Sequence, residues 1–254
     1  MGERSQGVAA MTHDQKRSVE ILEVGTRDGF QDVKAFIPTA EKIRIVNLLQ
    51  AAGIRRIEVS SFVHPKWVPQ LADAAEVFTG IEHRPGVEYS ALIPNERGLE
   101  QAITRGVREV VYVVSASDRL SRANFNKSTD ASIQDLSAIA KRATEHDVRL
   151  RATVAAAFGC PYEGAVPVER VTEIALEFQR AGVFEVTLAD TTGLAHPIQV
   201  RATCEVVQRA LGSTPLALHF HDTLHTGLAN VYAAWETGIR VFESSVAGLG
   251  GCPF

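Results

Sequence analysis

The protein has 254 residues, of which 45% are hydrophobic and 22% charged, and its formal net charge is −4. This is an ordinary globular composition, which excludes a disordered chain, a collagen and a coiled coil. No run of about 18 apolar residues is present, so no membrane span is predicted, and the mild acidic balance argues against nucleic-acid binding.

Residues 1–17 are polar, contain both acidic and basic side chains and lack an apolar stretch. They therefore predict a flexible tail rather than a signal or transit peptide. Residues 18–254 keep one composition throughout, which predicts a single catalytic domain. Within this domain, short segments rich in Val, Ile and Leu alternate with helical patterns, and such segments are typical of parallel strands buried on both faces. The eight predicted strands are residues 19–24, 56–60, 87–92, 109–114, 150–155, 184–188, 216–220 and 241–245.

Between the strands, apolar residues recur at i, i+3, i+4 and i+7, the spacing of one helix face. The stripe that starts at Ile45 ends before Gly53, a common helix terminator. The stripe that starts at Val168 follows Pro167, a common helix starter. The clearest stripes are Ile45, Leu48, Leu49 and Ala52; Ile133, Leu136, Ala140 and Ala143; Val168, Val171, Ala175 and Phe178; and Val200, Cys204, Val207 and Leu211.

The strands start about every 30 residues, the length of one βα unit. Eight such units fit either a (β/α)8 TIM barrel or an open doubly wound sheet. The first turn, Gly25–Gly29, lacks the GxGxxG pattern of a nucleotide-binding open sheet, so the barrel is favoured. Only seven helices can be placed before the sequence stops at Phe254. We therefore expect that the last helix is missing from this chain and that the complete protein is longer.

Polar residues gather just after the predicted strand ends. In a barrel, all of these ends meet at the C-terminal mouth, where barrel enzymes keep their active sites. Convergence of several independent strands on one mouth indicates an active site more strongly than any single motif. The residues concerned are Glu23, Arg27, Asp28, Glu58, Asp190, His219, His221, Ser244, Ser245 and Cys252.

His219 and His221 are two residues apart on one strand, so their imidazoles point to the same side. This pair predicts a metal site, with Asp28 and Asp190 as candidate oxygen ligands. The structural alternative is a histidine pair hydrogen-bonded within the barrel wall. A mixed nitrogen and oxygen set suits Mg²⁺, Mn²⁺, Co²⁺ or Zn²⁺, and ligand type alone does not choose among them. Arg27, next to Asp28, is a candidate for stabilising a developing negative charge, although in isolation the pair would be a surface ion pair.

Three loops at the same end carry further candidates. Residues 248–253 form a glycine-rich segment that predicts a flexible loop carrying the thiol of Cys252, with a plain turn as the alternative. Residues 64–70, which include Trp67, and residues 124–126 predict polar loops. Asp222 predicts a cap for a helix starting near Thr223.

The three cysteines form no CxxC pair, which argues against disulfides and structural zinc and favours a reducing compartment, the cytoplasm.

Taken together, these segments resemble the 3-hydroxy-3-methylglutaryl-CoA lyases, which belong to the DRE-TIM metallolyase superfamily. The most specific segment is residues 245–254 (SVAGLGGCPF), which fits the signature loop of that family. The resemblance runs from Glu20 to Phe254. The supporting segments are residues 23–29 (EVGTRDG), 57–62 (IEVSSF), 65–70 (PKWVPQ), 159–164 (GCPYEG) and 219–223 (HFHDT).

The resemblance implies a TIM barrel that cleaves 3-hydroxy-3-methylglutaryl-CoA, or a close 3-hydroxyacyl-CoA, into acetoacetate and acetyl-CoA. It implies a Mg²⁺ or Mn²⁺ ion, an arginine facing the thioester carbonyl, a cysteine on a mobile loop, and a histidine in proton transfer. With an acyl-CoA as substrate, we expect a homodimer with no nucleic-acid or membrane partner. The implied metal ligands are Asp28, His219 and His221, and the implied catalytic residues are Arg27, Asp28, His219, Cys252, Glu58 and Asp190.

The sequence departs from the family pattern at Thr26, where proline is usual, at residues 30–33 and at the turn 189–194. These changes leave the acyl group of the substrate open. A fourth ligand, an asparagine expected after the signature loop, has no counterpart because the sequence ends. His219, Asp28 and a water on the metal all stay candidates for the general base. The alternative functions are a synthase of the same superfamily that joins acetyl-CoA to a 2-oxo acid, and a non-catalytic barrel that acts as an oligomer scaffold.

Overall fold

The computed structural model describes residues 18–251, so the predicted tail and Cys252 lie outside the described residues. Eight parallel strands form a closed barrel in which each strand pairs with the next along the chain and β8 pairs with β1. Each predicted strand overlaps an observed one, and the predicted (β/α)8 barrel is confirmed. The strands are β1 (Glu20–Glu23), β2 (Arg56–Ser61), β3 (Glu88–Ile93), β4 (Glu109–Ser115), β5 (Arg149–Ala155), β6 (Glu185–Asp190), β7 (Leu216–Phe220) and β8 (Val241–Ser244).

Within residues 18–251, seven helices connect successive strands, as predicted, and one more lies inside the connection after β4. No helix in this part of the chain is long and apolar enough to cross a membrane. The helices are α1 (Thr39–Ala51), α2 (Ala74–Gly80), α3 (Glu96–Thr104), α4 (Asp118–Phe125), α5 (Thr129–Glu145), α6 (Val168–Arg180), α7 (Pro197–Leu211) and α8 (Gly227–Glu236).

The additional helix, α4, shows that the polar loop predicted at residues 124–126 is wrong. Ser117 caps α4 by accepting a hydrogen bond from the amide of Leu120, and Asn126 ends the helix in the left-handed conformation, with φ of 55°. The start of α8 also differs, because the helix begins at Gly227 rather than near Thr223. Asp222 nevertheless caps it across the turn, accepting the amide hydrogen of Gly227 at 2.7 Å.

The apolar core lies between the barrel and its helices, and the stripes on α5, α6 and α7 pack into it as predicted. The stripe predicted on α1 is wrong, because Leu48 is 54% exposed. The buried face of α1 includes Lys42, Val46 and Gln50. Lys42 donates to the carboxylate of Asp73 at 2.7 Å, and Gln50 donates to a backbone carbonyl at 3.0 Å. Hydrophobic periodicity does not detect a helix face that is half apolar and half hydrogen-bonded.

The interior of the barrel contains buried charged side chains. At its N-terminal end, Arg56 of β2 donates two hydrogen bonds to the carboxylate of Glu185 on β6, at 3.0 and 2.7 Å. Glu109 of β4 is buried beside them and also accepts from Arg149. This ion cluster fills the N-terminal end of the barrel, so that a ligand site is left at the C-terminal mouth.

Candidate active site

Arg27 and Asp28 lie on a single π-helical turn, Gly25–Gly29, that follows β1. The amides of both residues donate to the carbonyl of Val24, at 3.0 and 2.7 Å. The hydroxyl of Thr26 donates to the carbonyl of Glu58 at 3.0 Å, which ties the turn to β2. The Arg27 and Asp28 side chains are only 12% and 13% exposed, so the pair is not the solvated surface turn of the alternative interpretation.

The glycine-rich segment after β8 lies directly against this turn. A Cβ atom on Gly29 would lie 2.8 Å from the Cβ of Leu249, closer than real side chains pack. Glu23 joins the two segments, because its Oε1 accepts the amide hydrogens of Gly25 and Val246, both at 2.8 Å. Glycine at position 29 therefore serves the close approach of residues 245–250 to the Arg27–Asp28 turn.

The structure brings the three predicted metal ligands together. Oδ2 of Asp28 lies 3.9 Å from Nε2 of His219 and 3.7 Å from Nε2 of His221. Each residue offers one ligand atom, and these atoms all lie within 4.8 Å of one another. The ring centroids of the two histidines are 4.9 Å apart at the end of β7. One carboxylate and two imidazoles on one small volume fit a divalent ion with mixed nitrogen and oxygen ligands.

The electrostatics of Asp28 and His221 favour cation binding. Burial alone would raise the pKa of Asp28, but Arg27 and the two imidazoles outweigh burial and hold it below its usual value, so the carboxylate is ionised. Burial and the neighbouring His219 lower the pKa of His221 to about 4. At neutral pH the ring of His221 is therefore uncharged and keeps a lone pair for a ligand.

Below the mouth, a series of five hydrogen-bonded side chains crosses the barrel interior, in the order Arg27, Glu58, Arg151, Glu243 and His219. Arg27 donates its Nε to Oε1 of Glu58, and Arg151 donates Nη2 to Oε2 of Glu58 at 2.8 Å. Arg151 also donates Nη1 to Oε1 of Glu243 at 2.7 Å. The other oxygen of Glu243 lies 2.8 Å from Nδ1 of His219. The Arg151 side chain is completely buried, and it joins the Arg27 side of the site to the histidine side.

Sequence reasoning missed Arg151 and Glu243, and the catalytic role of Glu58 stays a prediction. Both oxygens of Glu58 accept hydrogen bonds from arginines, so its side chain supports Arg27. The sequence signal that could have found them is their position along the strands, because alternate residues of a strand face the same side. Arg151 lies in the middle of strand β5, and Glu243 lies two residues after Val241 in β8. In a barrel strand, alternate residues face the interior, so charged residues in these positions indicate an interior ion network.

Asp190 lies outside the ligand group among the described residues. Its Oδ1 and Oδ2 accept the amide hydrogens of Leu194 and Ala195, both at 3.1 Å. The side chain is completely buried, and these bonds shape the connection from β6 to α7. The structure does not bring Asp190 into the ligand group considered from the sequence, and its catalytic role stays a prediction.

The remaining candidates from the sequence are the cysteines and the loop that carries Trp67. Cys160 and Cys204 are both buried, and burial raises the pKa of the Cys204 thiol to about 12. Cys160 donates to the hydroxyl of Ser117 at 2.9 Å. Trp67 is 80% exposed on the loop after β2. Cys252 lies outside the described residues, and its catalytic role stays a prediction.

The sequence profile of the HMGL-like family matches residues 18–252. The chain belongs to the HMGL-like family. It is 47% identical over 238 residues to the 3-hydroxy-3-isohexenylglutaryl-CoA/hydroxy-methylglutaryl-CoA lyase of Pseudomonas aeruginosa. The aligned region covers 94% of this chain and 79% of that protein. The hydroxymethylglutaryl-CoA lyase of Bacillus subtilis is 44% identical with coverages of 94% and 80%. The human mitochondrial hydroxymethylglutaryl-CoA lyase is 41% identical with coverages of 94% and 73%.

Solved structures of HMGL-like proteins show the same architecture. The hydroxymethylglutaryl-CoA lyase from Pseudomonas aeruginosa superposes with a TM-score of 0.90 at 47% identity, covering 93% of this chain and 79% of that chain. An Acinetobacter baumannii HMG-CoA lyase in complex with coenzyme A and 3-methylmalate gives a TM-score of 0.91 at 38% identity, covering 94% and 78%. The resemblance predicted from the sequence motifs is confirmed.

Proposed function

We propose that this protein is a divalent-metal-dependent carbon–carbon lyase. It cleaves 3-hydroxy-3-methylglutaryl-CoA, or a close 3-hydroxyacyl-CoA, into acetoacetate, or the matching 3-oxo acid, and acetyl-CoA. Its HMGL-like relatives at 41–47% identity are named as lyases of such thioesters. The observation that carries the proposal is that Asp28 both pairs with Arg27 and belongs to a three-residue group able to bind a metal ion. A substrate oxygen can therefore meet an ion and a guanidinium in one mouth.

The cleavage has a simple balance of electrons and protons. The tertiary hydroxyl loses its proton and becomes a ketone while the C2–C3 bond breaks. The electron pair of that bond moves to the thioester as an enolate, and C2 then takes up one proton to give acetyl-CoA. A divalent ion held by Asp28, His219 and His221 would supply Lewis-acid polarisation of the substrate oxygens.

Arg27 is arranged to stabilise the charge that develops on the thioester oxygen. Its Nε donates to Glu58 and its Nη1 donates to Asp28 at 2.5 Å, which fixes the plane of the guanidinium. Among residues 18–251, Nη2 of Arg27 has no hydrogen-bond partner, so this nitrogen is available for the substrate. A donor already in place before the charge appears requires no reorganisation during the reaction.

Two proton transfers complete the proposal. The hydroxyl proton leaves to a basic group in the mouth, for which Asp28 is the candidate, because both ring nitrogens of His219 are engaged once Nδ1 meets Glu243 and Nε2 binds an ion. The proton for C2 comes from Cys252 on the glycine-rich loop. The predicted homodimer and cytoplasmic location belong to the same proposal, and light scattering during size-exclusion chromatography tests the homodimer.

A lyase assay on a panel of 3-hydroxyacyl-CoA thioesters tests the activity. We expect acetyl-CoA release that depends on added Mg²⁺ or Mn²⁺ and stops when the ion is chelated. The panel includes a thioester with a long 3-alkyl chain, because the Pseudomonas aeruginosa relative is named for an isohexenyl substrate as well. Incubation of acetyl-CoA with 2-oxo acids tests the synthase alternative. If no thioester is cleaved with either ion, the proposed function is wrong.

A further inference from the structure

Glu243 contacts His219 on the ring edge opposite the ligand group. We propose that Glu243 is a positioning residue which, itself held by Arg151, fixes the ring hydrogen of His219 on Nδ1 and so presents the Nε2 lone pair of His219 to a divalent ion. This inference rests on the metal site of the proposed function and assigns Glu243 and Arg151 a role in preparing that site. It does not depend on which thioester is cleaved.

The geometry places the two ring nitrogens of His219 in different surroundings. Nδ1 lies 2.8 Å from Oε2 of Glu243, within the barrel. Nε2 lies 3.9 Å from Oδ2 of Asp28, on the side of the mouth. The side chains of Glu243 and His219 are only 4% and 12% exposed, so water competes little for the contact between them.

The chemistry of the donors and acceptors decides which nitrogen carries the hydrogen. An ionised carboxylate only accepts hydrogen bonds, and a neutral imidazole has one N–H and one lone pair. Since Oε2 of Glu243 accepts from Nδ1, the ring hydrogen is on Nδ1 and the lone pair is on Nε2. A carboxylate behind a metal-binding histidine fixes the tautomer and the orientation of the ring in this way.

Arg151 determines how the Glu243 carboxylate is oriented. Its Nη1 donates to Oε1 of Glu243 at 2.7 Å, and the hydroxyl of Thr187 lies 3.4 Å from the same oxygen. Its Nη2 is bound to Glu58 at 2.8 Å, so the guanidinium is held on both sides. With Oε1 engaged by Arg151, Oε2 of Glu243 is the oxygen that meets His219.

This arrangement makes Glu243→Gln an informative variant, since glutamine keeps the shape of the side chain. Arginine only donates hydrogen bonds, so the amide oxygen of the new side chain must face Arg151. The amide NH₂ group then faces Nδ1 of His219, which must become an acceptor, and the ring hydrogen moves to Nε2. An Nε2 that carries hydrogen cannot bind a metal ion, so we expect Mn²⁺ affinity to fall by roughly 10- to 100-fold.

The first experiment is a Mn²⁺ titration of the full chain, followed by electron paramagnetic resonance of the free ion. Glu185→Gln is the matched control, because Glu185 is similarly buried and also paired with an arginine, but at the N-terminal end of the barrel. We expect this control to bind Mn²⁺ as the wild type does. Should Glu243→Gln bind Mn²⁺ within twofold of the wild type while His221→Ala loses binding, the inference is wrong.

The second experiment needs no substitution at position 243. Nitrogen NMR of the ¹⁵N-histidine-labelled, metal-free wild-type chain, at a pH where the ring is neutral, shows which nitrogen of His219 carries the hydrogen. The His219→Asn spectrum identifies the signal. A hydrogen on Nδ1 supports the inference, and a hydrogen on Nε2 overturns it even if Glu243→Gln fails to fold. Neither experiment uses substrate, so wild-type protein that binds Mn²⁺ but cleaves no thioester refutes the proposed function alone.

Discussion

Replacing Arg27 by lysine tests the part of the mechanism that depends on guanidinium geometry. Arg27 uses Nε for Glu58 and Nη1 for Asp28, and Nη2 has no hydrogen-bond partner among residues 18–251. Lysine keeps the positive charge but has a single nitrogen at the end of a flexible stem. That nitrogen cannot hold both carboxylates and also donate to a substrate oxygen in the planar arrangement that arginine provides.

The size of the effect follows from what is lost. The two carboxylates compete for the lysine ammonium group, so the preformed donor to the thioester oxygen disappears. Loss of one such donor costs roughly 10²–10³ in kcat, or about 2.7–4 kcal/mol of transition-state stabilisation. Since the oxygen becomes strongly negative only in the transition state, we expect kcat to fall far more than KM rises.

Steady-state kinetics with 3-hydroxy-3-methylglutaryl-CoA at saturating Mg²⁺ measures the effect. Arg56→Lys is the matched control, because Arg56 is also buried and paired with carboxylates, but at the opposite end of the barrel. The control should lower the melting temperature and leave kcat unchanged. An Arg27→Lys enzyme with normal kcat and a raised KM would show that Arg27 only binds the substrate.

Three further predictions concern the ion, the thiol and the glycine-rich loop. The His221→Ala variant should bind Mg²⁺ or Mn²⁺ at least tenfold more weakly in a calorimetric titration, because it removes one of three ligands; unchanged affinity would contradict the assignment. Thiol reagents should inactivate the enzyme through Cys252, with protection by a substrate analogue, whereas mass spectrometry that finds activity loss tracking a buried cysteine would refute this role. Gly29→Ala should lower the free energy of unfolding by roughly 1–3 kcal/mol, because its Cβ would lie 2.8 Å from that of Leu249. Gly251→Ala is the control, because no atom of residues 18–251 lies within 4 Å of the added Cβ; equal melting temperatures for the two variants would contradict the packing argument.

The fold and the ligand group were predictable because both leave a periodic signal. Strands buried on two faces give apolar segments, and two histidines at i and i+2 point to one side wherever the strand lies. The position of Asp28 was predictable only through the barrel, since that fold brings the end of β1 near the end of β7. Residue type and strand position were sufficient for this part of the site.

The supporting residues were not predictable from the same signals. Lys42 and Gln50 of α1 are polar, so apolar periodicity placed the buried face of that helix on Leu48 instead. Arg151 and Glu243 are charged residues inside strands, and only their partners across the barrel give them a stable place there. Asp190 shows the converse, because its position after a strand suggested a ligand while its carboxylate caps the following loop. Pairing across the interior is a three-dimensional property that a linear pattern does not contain.

Barrel closure links the ion to folding. The hydrogen bond between Val246 and Glu23 spans 223 residues of the chain, and Asp28 and the two histidines likewise come from distant parts of the sequence. A chain that has not yet joined β8 to β1 has no complete ligand set, so an ion bound there, as proposed, would select the finished barrel. Contacts so distant in sequence form slowly. A ligand that binds only the folded state, at a free concentration 100 times its Kd, stabilises that state by about 2.7 kcal/mol. Under the proposed function, divalent ion supply would therefore influence how much newly made chain stays closed, as well as the turnover of the closed barrel.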